Sequence, residues 1–465
     1  MIIRRAKGFY ETFDSLIALD SRLDTRQLAS GMASSYNCGT MQKIVILGGG
    51  TVNHVRNHLA ICAPAYGGTA KALATLVGEE LRAQGLTERF EVQTMLTKMA
   101  DSSSRIETNA DVAALVDSLV ADPTVKAVIF NVALADFEGS IEGVASGKYA
   151  ERLRTKNGKV SLDLTPSEKL IGRFRQERKD IFVVGFKTTA DQSSDTQYRR
   201  GLELLKSNSL NLVIANDTVT RNNMIIAPEE TRYSETTERD DVLRFLSKML
   251  VSRMQNRFTR STVLPGEPVS WQSDDVPANL RTVVDHCIER GAYKPVLGKT
   301  AGHFAVKVDE GKILTSIRKT NFNRLNEVGL VKVESQNDDE VIAYGARPSV
   351  GGQSQRIIFR EHPDLDCIVH FHCPVKKDAP QVASIPVTPQ WPNECGSHEC
   401  GRNTSRHLNE VDLGGGDRLS VVYLDDHGPN IVFNRMVPAN KVMDFIDANF
   451  DLKAKTGGLV ENATH

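Results

Sequence analysis

No stretch of this 465-residue sequence approaches the about 18–20 consecutive apolar residues that span a bilayer, so nothing in it reads as a membrane segment. Charge of one sign is also lacking. Lys and Arg number 57 against 58 Asp and Glu, a formal net charge of −1, which gives no global pull toward nucleic acid or an anionic membrane. The seven cysteines are odd in number and form no disulfide framework, so a reducing, cytoplasmic setting is expected. The first forty residues lack the apolar core of a secretion signal. With five basic and four acidic residues they are also unlike an acid-poor transit peptide. Residues 1–40 are expected to be a mobile extension, or an over-long start before a true beginning near Met41. No internal repeat is visible. What remains is a globular composition, 40% hydrophobic and 25% charged, with length for two or three domains.

Lys43–Leu47 (KIVIL) is a short β-branched run that ends in Gly48, Gly49, Gly50 and Thr51, the pattern of a buried first strand and a tight turn. Ala70, Leu73, Ala74, Val77 and Leu81 follow at helical spacing. Further strands are expected at 90–96, 126–131, 181–186 and 212–215. A second helix is expected through Val112–Leu119, and a closing one through Val242–Val251. Alternating strands and helices predict an α/β unit over 41–258, a doubly wound, mostly parallel Rossmann-like sheet. Residues 259–275, with two prolines, read as an irregular linker. After it come a helix near 279–290, several short strands between 303 and 424, and a last helix at 439–449. That pattern predicts an α+β domain over 276–455, with an antiparallel sheet under helical cover and a tail at 456–465.

A glycine turn after a first strand lets backbone amides approach a phosphate, because glycine has no Cβ. The spacing is not the G-x-G-x-x-G of dinucleotide enzymes, and no acidic residue closes a ribose site, so a Rossmann oxidoreductase is the weaker reading. The ordered segments GGGT, Val55-Arg56, Gly67-Gly68 with ALA, NVALADF (131–137), RLR (152–154), VGFKTT (184–189) and Lys206 before NLVIAND (211–217) resemble the phosphopantothenate–cysteine ligase family over about 41–230. The resemblance implies activation of a carboxylate by ATP or CTP with Mg²⁺ and transfer to an amine. It places Gly48, Gly49, Gly50, Thr51, Asp136, Phe186, Lys206 and Asn216 around the nucleotide, and Arg56 near an anionic substrate. Asp136 equally suits a helix cap, and Lys206 a solvated helix face. Two departures bear on the reaction. The family's asparagine after VR falls near Ala60, and its KIK lysine is replaced by Arg152 or Arg154, which keeps the charge but not a readily deprotonated amine.

In the second half, His370-Phe371-His372 ends an apolar run. Residues i and i+2 of a strand share a face, so both imidazoles are able to reach one metal. His427 follows another strand in the turn Asp426-His427-Gly428. Three neutral imidazoles with an open position suit a Lewis-acid zinc site; the alternative is a set of satisfied core histidines. TAGHFAVKVD (300–309), Thr320-Asn321-Phe322, Pro348-Ser349, IVHFHCP and HGPNIVF resemble the class II aldolase and adducin family over about 276–450. That resemblance implies Zn²⁺, or another divalent transition metal, on His370, His372 and His427, and a phosphate grip at Thr315-Ser316 and Ser349. It also implies a catalytic glutamate, but Gly351 stands at its place, and His303 stands where the family usually has Asn. The unusual segment 394–400 (ECGSHEC) offers Glu394 or Glu399 as a replacement base; otherwise it is a structural loop, and Cys395 and Cys400 are a weak second-metal pattern. The expected function is a bifunctional biosynthetic enzyme, ligase-like and lyase-like, acting on small molecules as a homo-oligomer. The alternative is a ligase-like enzyme whose aldolase-like domain only binds or oligomerises.

Overall fold

Ile44 and Ile46 point to one side of the strand Gln42–Gly50 and Val45 and Leu47 to the other, and all four are buried. A strand buried on both faces needs helices on both, and the sequence supplies them. The computed structural model describes residues 40–142 and 144–458. The extension expected at 1–40 lies outside the described residues apart from Thr40.

The first large sheet has seven strands in the order Arg232–Thr236, Asn223–Ile226, Leu212–Asp217, Phe182–Thr189, Val125–Ala133, Gln42–Gly50, Phe90–Leu96. Five are parallel, and the hairpin formed by the first two is antiparallel. Helices Gly68–Ala83 and Arg239–Arg253 cover the face of Ile44 and Ile46. Asn109–Ala121 and Ser194–Asn208 cover the face of Val45 and Leu47. Asn109–Ala121 begins in a capping box, Thr108 with Asp111, worth about 1 kcal/mol.

The second sheet runs Arg260–Leu264, Glu340–Tyr344, Leu330–Ser335, Lys312–Ser316, His303–Asp309, Cys367–His370, Gly428–Phe433, Arg418–Leu424, Val387–Thr388, with Asn409–Asp412 also on Arg418–Leu424. It is mixed, not purely antiparallel, because both outer pairs are parallel. Helices Ala278–Glu289 and Ala439–Asn449 bury Leu280, Val283, Val442 and Phe445 against Phe304, Val369 and Ile431. Helix Val350–Glu361 closes the opposite face over Ala305 and Ile368.

The stretch expected to be an irregular linker corrects itself in two ways. Residues 260–264 add a strand to the second sheet, and Trp271 is fully buried beneath helix Ala278–Glu289. The expected tail also begins packed, since the Thr456 amide donates to His372 O at 3.1 Å. From Met41 onward the chain is one compact unit. The seam between its halves holds a fully buried ion pair, Arg253 to Glu229 at 2.5 Å. Tyr233 Oη donates to Glu229 at 2.8 Å, so Glu229 is satisfied within the first half, while Arg253 also donates to Trp391 O of the second half at 2.7 Å.

Candidate functional site

His370 ends the strand Cys367–His370, two residues after Ile368, so it projects toward helix Val350–Glu361. His372 continues beyond the strand end. His427 stands in the turn that reverses the chain between Arg418–Leu424 and Gly428–Phe433, opened by Asp426 at φ 55°. The three side chains meet. His370 Nε2 lies 3.2 Å from His427 Nε2, which lies 3.1 Å from His372 Nε2. Ligand nitrogens about 2.05 Å from a tetrahedral zinc stand about 3.3 Å apart, so this spacing suits one transition-metal ion. His370 Nδ1 is 2.8 Å from Pro429 O; the carbonyl accepts its proton and leaves Nε2 as a lone-pair donor.

Burial pushes His370 down to about 4, and pushes His372 and His427 well below the usual histidine range, with neighbouring imidazoles adding to the effect. All three are therefore neutral at pH 7, the form in which an imidazole can ligate a metal. An all-imidazole set selects zinc or a similar metal over oxygen-seeking Mg²⁺. Among the described residues this is the single cluster of three metal-ligating side chains, and no carboxylate belongs to it.

The position where the aldolase resemblance implies a glutamate is filled by another ring. A Cβ on Gly351 would lie 2.0 Å from His303 Cδ2 and 2.6 Å from its Nε2. His303 is paired across the sheet with His370, and their rings are 4.7 Å apart. Gln355 Oε1 lies 3.2 Å from Thr315 Oγ1, which orients the amide so that Gln355 Nε2 donates to His303 Nδ1. His303 thus presents Nε2–H toward Gly351.

Glu394 and Glu399, expected as replacement bases, are engaged elsewhere. Glu394 is buried against Asn211 of the first half, whose Nδ2 donates at 2.8 Å; Glu399 accepts from the Arg257 amide at 2.9 Å. The segment around them starts helix His398–His407, where His398 Nε2 is 3.0 Å from Thr259 Oγ1. Burial raises the Cys395 and Cys400 thiols, and neither belongs to a group of three metal-ligating side chains among the described residues.

One carboxylate near the histidines had no sequence signal. Glu230, in the turn between Asn223–Ile226 and Arg232–Thr236, places Oε2 4.0 Å from His372 Nδ1. Burial works against its charge, but Lys206 at 2.9 Å and Lys455 at 2.5 Å hold the carboxyl down at about 2. Because it lies behind His372, on the ring side away from the other Nε2 atoms, it belongs to the outer shell of the cluster.

The candidates in the first half divide. Gly48, Gly49 and Gly50 end the first strand at the point where the strand order reverses, the usual ligand position in such sheets. Gly49 has φ 97°, and a Cβ there would strike Thr97 Oγ1 at 2.2 Å. Thr51 is fully buried; its hydroxyl donates to Asn109 Oδ1 at 2.6 Å and accepts from the Ala135 amide at 2.8 Å, so it braces the turn. Phe186 and Asn216 lie near the carboxyl ends of neighbouring strands, with Thr188 donating to Asn216 Oδ1. Asp136 is exposed and paired with Lys169.

Lys206 is not brought to this group. Helix Ser194–Asn208 runs back along the sheet, so Lys206 sits where the strands begin, bound to Glu230 and, at 3.1 Å, to Pro228 O. Arg56 is buried and donates to Val55 O and Ile141 O, without an ion pair among the described residues. Arg154 is exposed beside Glu151. In the second half Ser316 and Ser349 do adjoin, with the Ser349 amide donating to Ser316 O at 2.9 Å. No helix of the described residues is long and apolar enough to cross a membrane.

A sheet-borne H-x-H pair and a turn histidine bring three imidazoles together in a group that could hold a metal ion. Residues 290–444 match the family described as Class II Aldolase and Adducin N-terminal domain, and this part of the chain is a domain of that type. Among solved structures, the DNA/pantothenate metabolism flavoprotein from Streptococcus pneumoniae is similar over 46% of this chain and 97% of its own, at 18% identity and a TM-score of 0.36. The C-terminal domain of coenzyme A biosynthesis bifunctional protein CoaBC is similar over 46% and 98%, at 16% identity and 0.31. L-Fuculose 1-phosphate aldolase is similar over 38% and 82%, at 15% identity and 0.27. No curated protein matches the chain.

Proposed function

We propose that this chain is a bifunctional biosynthetic enzyme. Its first half is assigned nucleotide-dependent carboxylate–amine ligase-like chemistry, with Mg²⁺ and ATP or CTP. Its second half is assigned zinc-dependent, aldolase-like lyase chemistry on a small phosphorylated or carboxylated metabolite. The observation that carries the lyase assignment is the convergence of three Nε2 atoms at 3.1–3.2 Å, each neutral by burial. A bound zinc ion supplies Lewis acidity toward a carbonyl or alkoxide oxygen. The chain's own groups do the rest. Pro429 O sets the tautomer of His370. His303, neutral with Nδ1 accepting from Gln355, offers Nε2–H as a hydrogen-bond donor where the family's carboxylate is missing.

The test is metal analysis of the purified chain beside His370→Ala and His427→Ala. One transition-metal ion per chain, lost in both variants, is expected; a metal-free parent refutes the lyase assignment. A thermal-shift screen with Mg²⁺ and ATP or CTP tests the other half, where stabilisation by nucleotide is expected.

The replacement of the glutamate by Gly351 under the His303 ring favours a second reading, in which the second half binds or assembles without catalysis. Metal-loaded protein that cleaves no phosphorylated aldol while still binding nucleotide would select it.

A further inference from the structure

His372 Nδ1 is buried and has no hydrogen-bond partner among the described residues. Its Nε2 is turned to His427, 3.1 Å away. When Nε2 ligates a metal, a neutral imidazole keeps its proton on Nδ1. That N–H then needs an acceptor, because a buried donor left unmet is unfavourable, and ligating histidines almost always pass this proton to a carboxylate, a carbonyl or water. His370 meets the demand within its own half, through Pro429 O at 2.8 Å. For His372 the acceptor lies across the seam. Glu230 Oε2 is 4.0 Å from Nδ1, and among the described residues Glu230 is the one acid at ion-pair distance from any of the three histidines.

Glu230 is fixed from both halves. Its amide donates to Ala227 O at 2.9 Å and its carbonyl accepts from Tyr198 Oη, which holds the residue at φ 67°. Lys206 of the first half holds Oε1 at 2.9 Å. Lys455, near the end of the second half, holds Oε2 at 2.5 Å, with its side chain only 5% exposed. A carboxylate oxygen has a second lone pair, so Oε2 is able to accept from Nδ1 as well. The segment that brings Lys455 is tied to both sides of the seam. The Thr456 amide donates to His372 O at 3.1 Å, and Arg232 Nε donates to Gly457 O at 2.6 Å. A Cβ on Gly457 would strike Glu230 O at 2.1 Å, so turn and segment are in close contact. Closure by about 1 Å would bring Oε2 and Nδ1 to hydrogen-bond distance.

We propose that Glu230, carried by the first half, is the positioning residue that accepts the Nδ1 proton of His372, so that metal binding in the second half and docking of the first half stabilise each other. Linkage makes the coupling reciprocal: whatever draws the turn at 227–231 onto His372 tightens the metal, and the metal tightens the seam. The inference rests on the reading of the three histidines as metal ligands and does not need the lyase assignment.

The test uses the full chain, stripped of metal and titrated with Zn²⁺ against a chromophoric chelator, with thermal unfolding of the metal-free and metal-loaded forms alongside. Glu230→Ala should weaken Zn²⁺ binding by about tenfold to a hundredfold. It should also shrink the rise in unfolding midpoint that the metal gives the parent. Glu230→Gln keeps the shape and an acceptor oxygen but not the charge, and should weaken binding about threefold or more; should Glu230→Ala not fold, Glu230→Gln decides alone. Asn211→Ala removes the seam's hydrogen bonds to Glu394, away from the histidines, and should change the affinity by less than about twofold. Affinity unchanged in either Glu230 variant overturns the proposal. So does an equal loss in Asn211→Ala, which would make Glu230 one brace of the seam among several. A parent that binds no Zn²⁺ is a different failure, because it overturns the reading of the histidines themselves.

Discussion

Gly351→Ala is a substitution whose sign intuition gets wrong. Gly351 lies in the first turn of helix Val350–Glu361, where alanine in place of glycine ordinarily stabilises by about 1 kcal/mol. Here the added Cβ would stand 2.0 Å from His303 Cδ2, against a comfortable separation of about 3.5–4 Å. His303 has little room to retreat, with the His370 ring 4.7 Å from its own and its Nδ1 held by Gln355. Overpacking costs roughly 1–3 kcal/mol, and a ring driven off Gln355 leaves a buried amide unsatisfied for about 1–3 kcal/mol more. Set against the helical gain, the net expectation is a destabilisation of about 1–5 kcal/mol. In a His303→Ala background the obstruction is gone and only the helical gain remains, so the same Gly351→Ala should be neutral or stabilising by up to about 1 kcal/mol. Urea unfolding of the four members of this double-mutant cycle measures the coupling, expected at about 2–6 kcal/mol because the helical gain cancels. If Gly351→Ala is as stable as the parent in both backgrounds, the account of His303 filling the glutamate's place is wrong.

Two further outcomes follow from the seam and the histidines. Arg253→Met should destabilise by about 3–5 kcal/mol, because Glu229 is left buried and unpaired, and Arg253→Met with Glu229→Gln should recover part of the loss; denaturant midpoints of the three chains check this. Burial depresses His370 from 6.5 to about 4, so its neutral form contributes stability that is full above about pH 6.5 and is lost as pH falls toward 4, roughly 3 kcal/mol from this residue alone; metal-free protein should show that acid loss in thermal unfolding between pH 7 and 4, and His370→Gln should flatten it.

The alternation of strands and helices in the first half was legible because buried parallel strands write continuous apolar runs such as KIVIL and IFVVGF. His370 and His372 were legible through the two-residue repeat of a strand, and His427 through the turn that follows one. Residues 260–264 were not: a five-residue edge strand followed by prolines has too little pattern of its own and is a strand only because Glu340–Tyr344 lies beside it. Glu230 was invisible for a similar reason, since its meaning depends on a hairpin turn meeting histidines more than a hundred residues away. His303 and Gly351 were each visible as departures from the aldolase pattern. Their compensation, a larger ring where a side chain was removed, appears only as a distance. Lys206 shows the opposite failure: the motif around it matched, yet the direction of its helix carries it to the far end of the sheet.

The turn at residues 227–231 has an outcome for any attempt to dissect the molecule. It carries Glu229 to Arg253, Glu230 to the back of His372, and Thr231 to the carbonyl of Asp426, one residue from His427. A fragment starting after residue 258 would therefore expose the rear of His372 to water and lose the carboxylate beside it. The upstream piece alone would keep Arg253 on Glu229 and Lys206 on Glu230, but would lose Lys455 from Glu230 and the Trp391 carbonyl from Arg253. Expressed separately, neither piece is a fair surrogate for the fused protein, and a metal affinity measured on the isolated C-terminal fragment should fall below that of the intact chain.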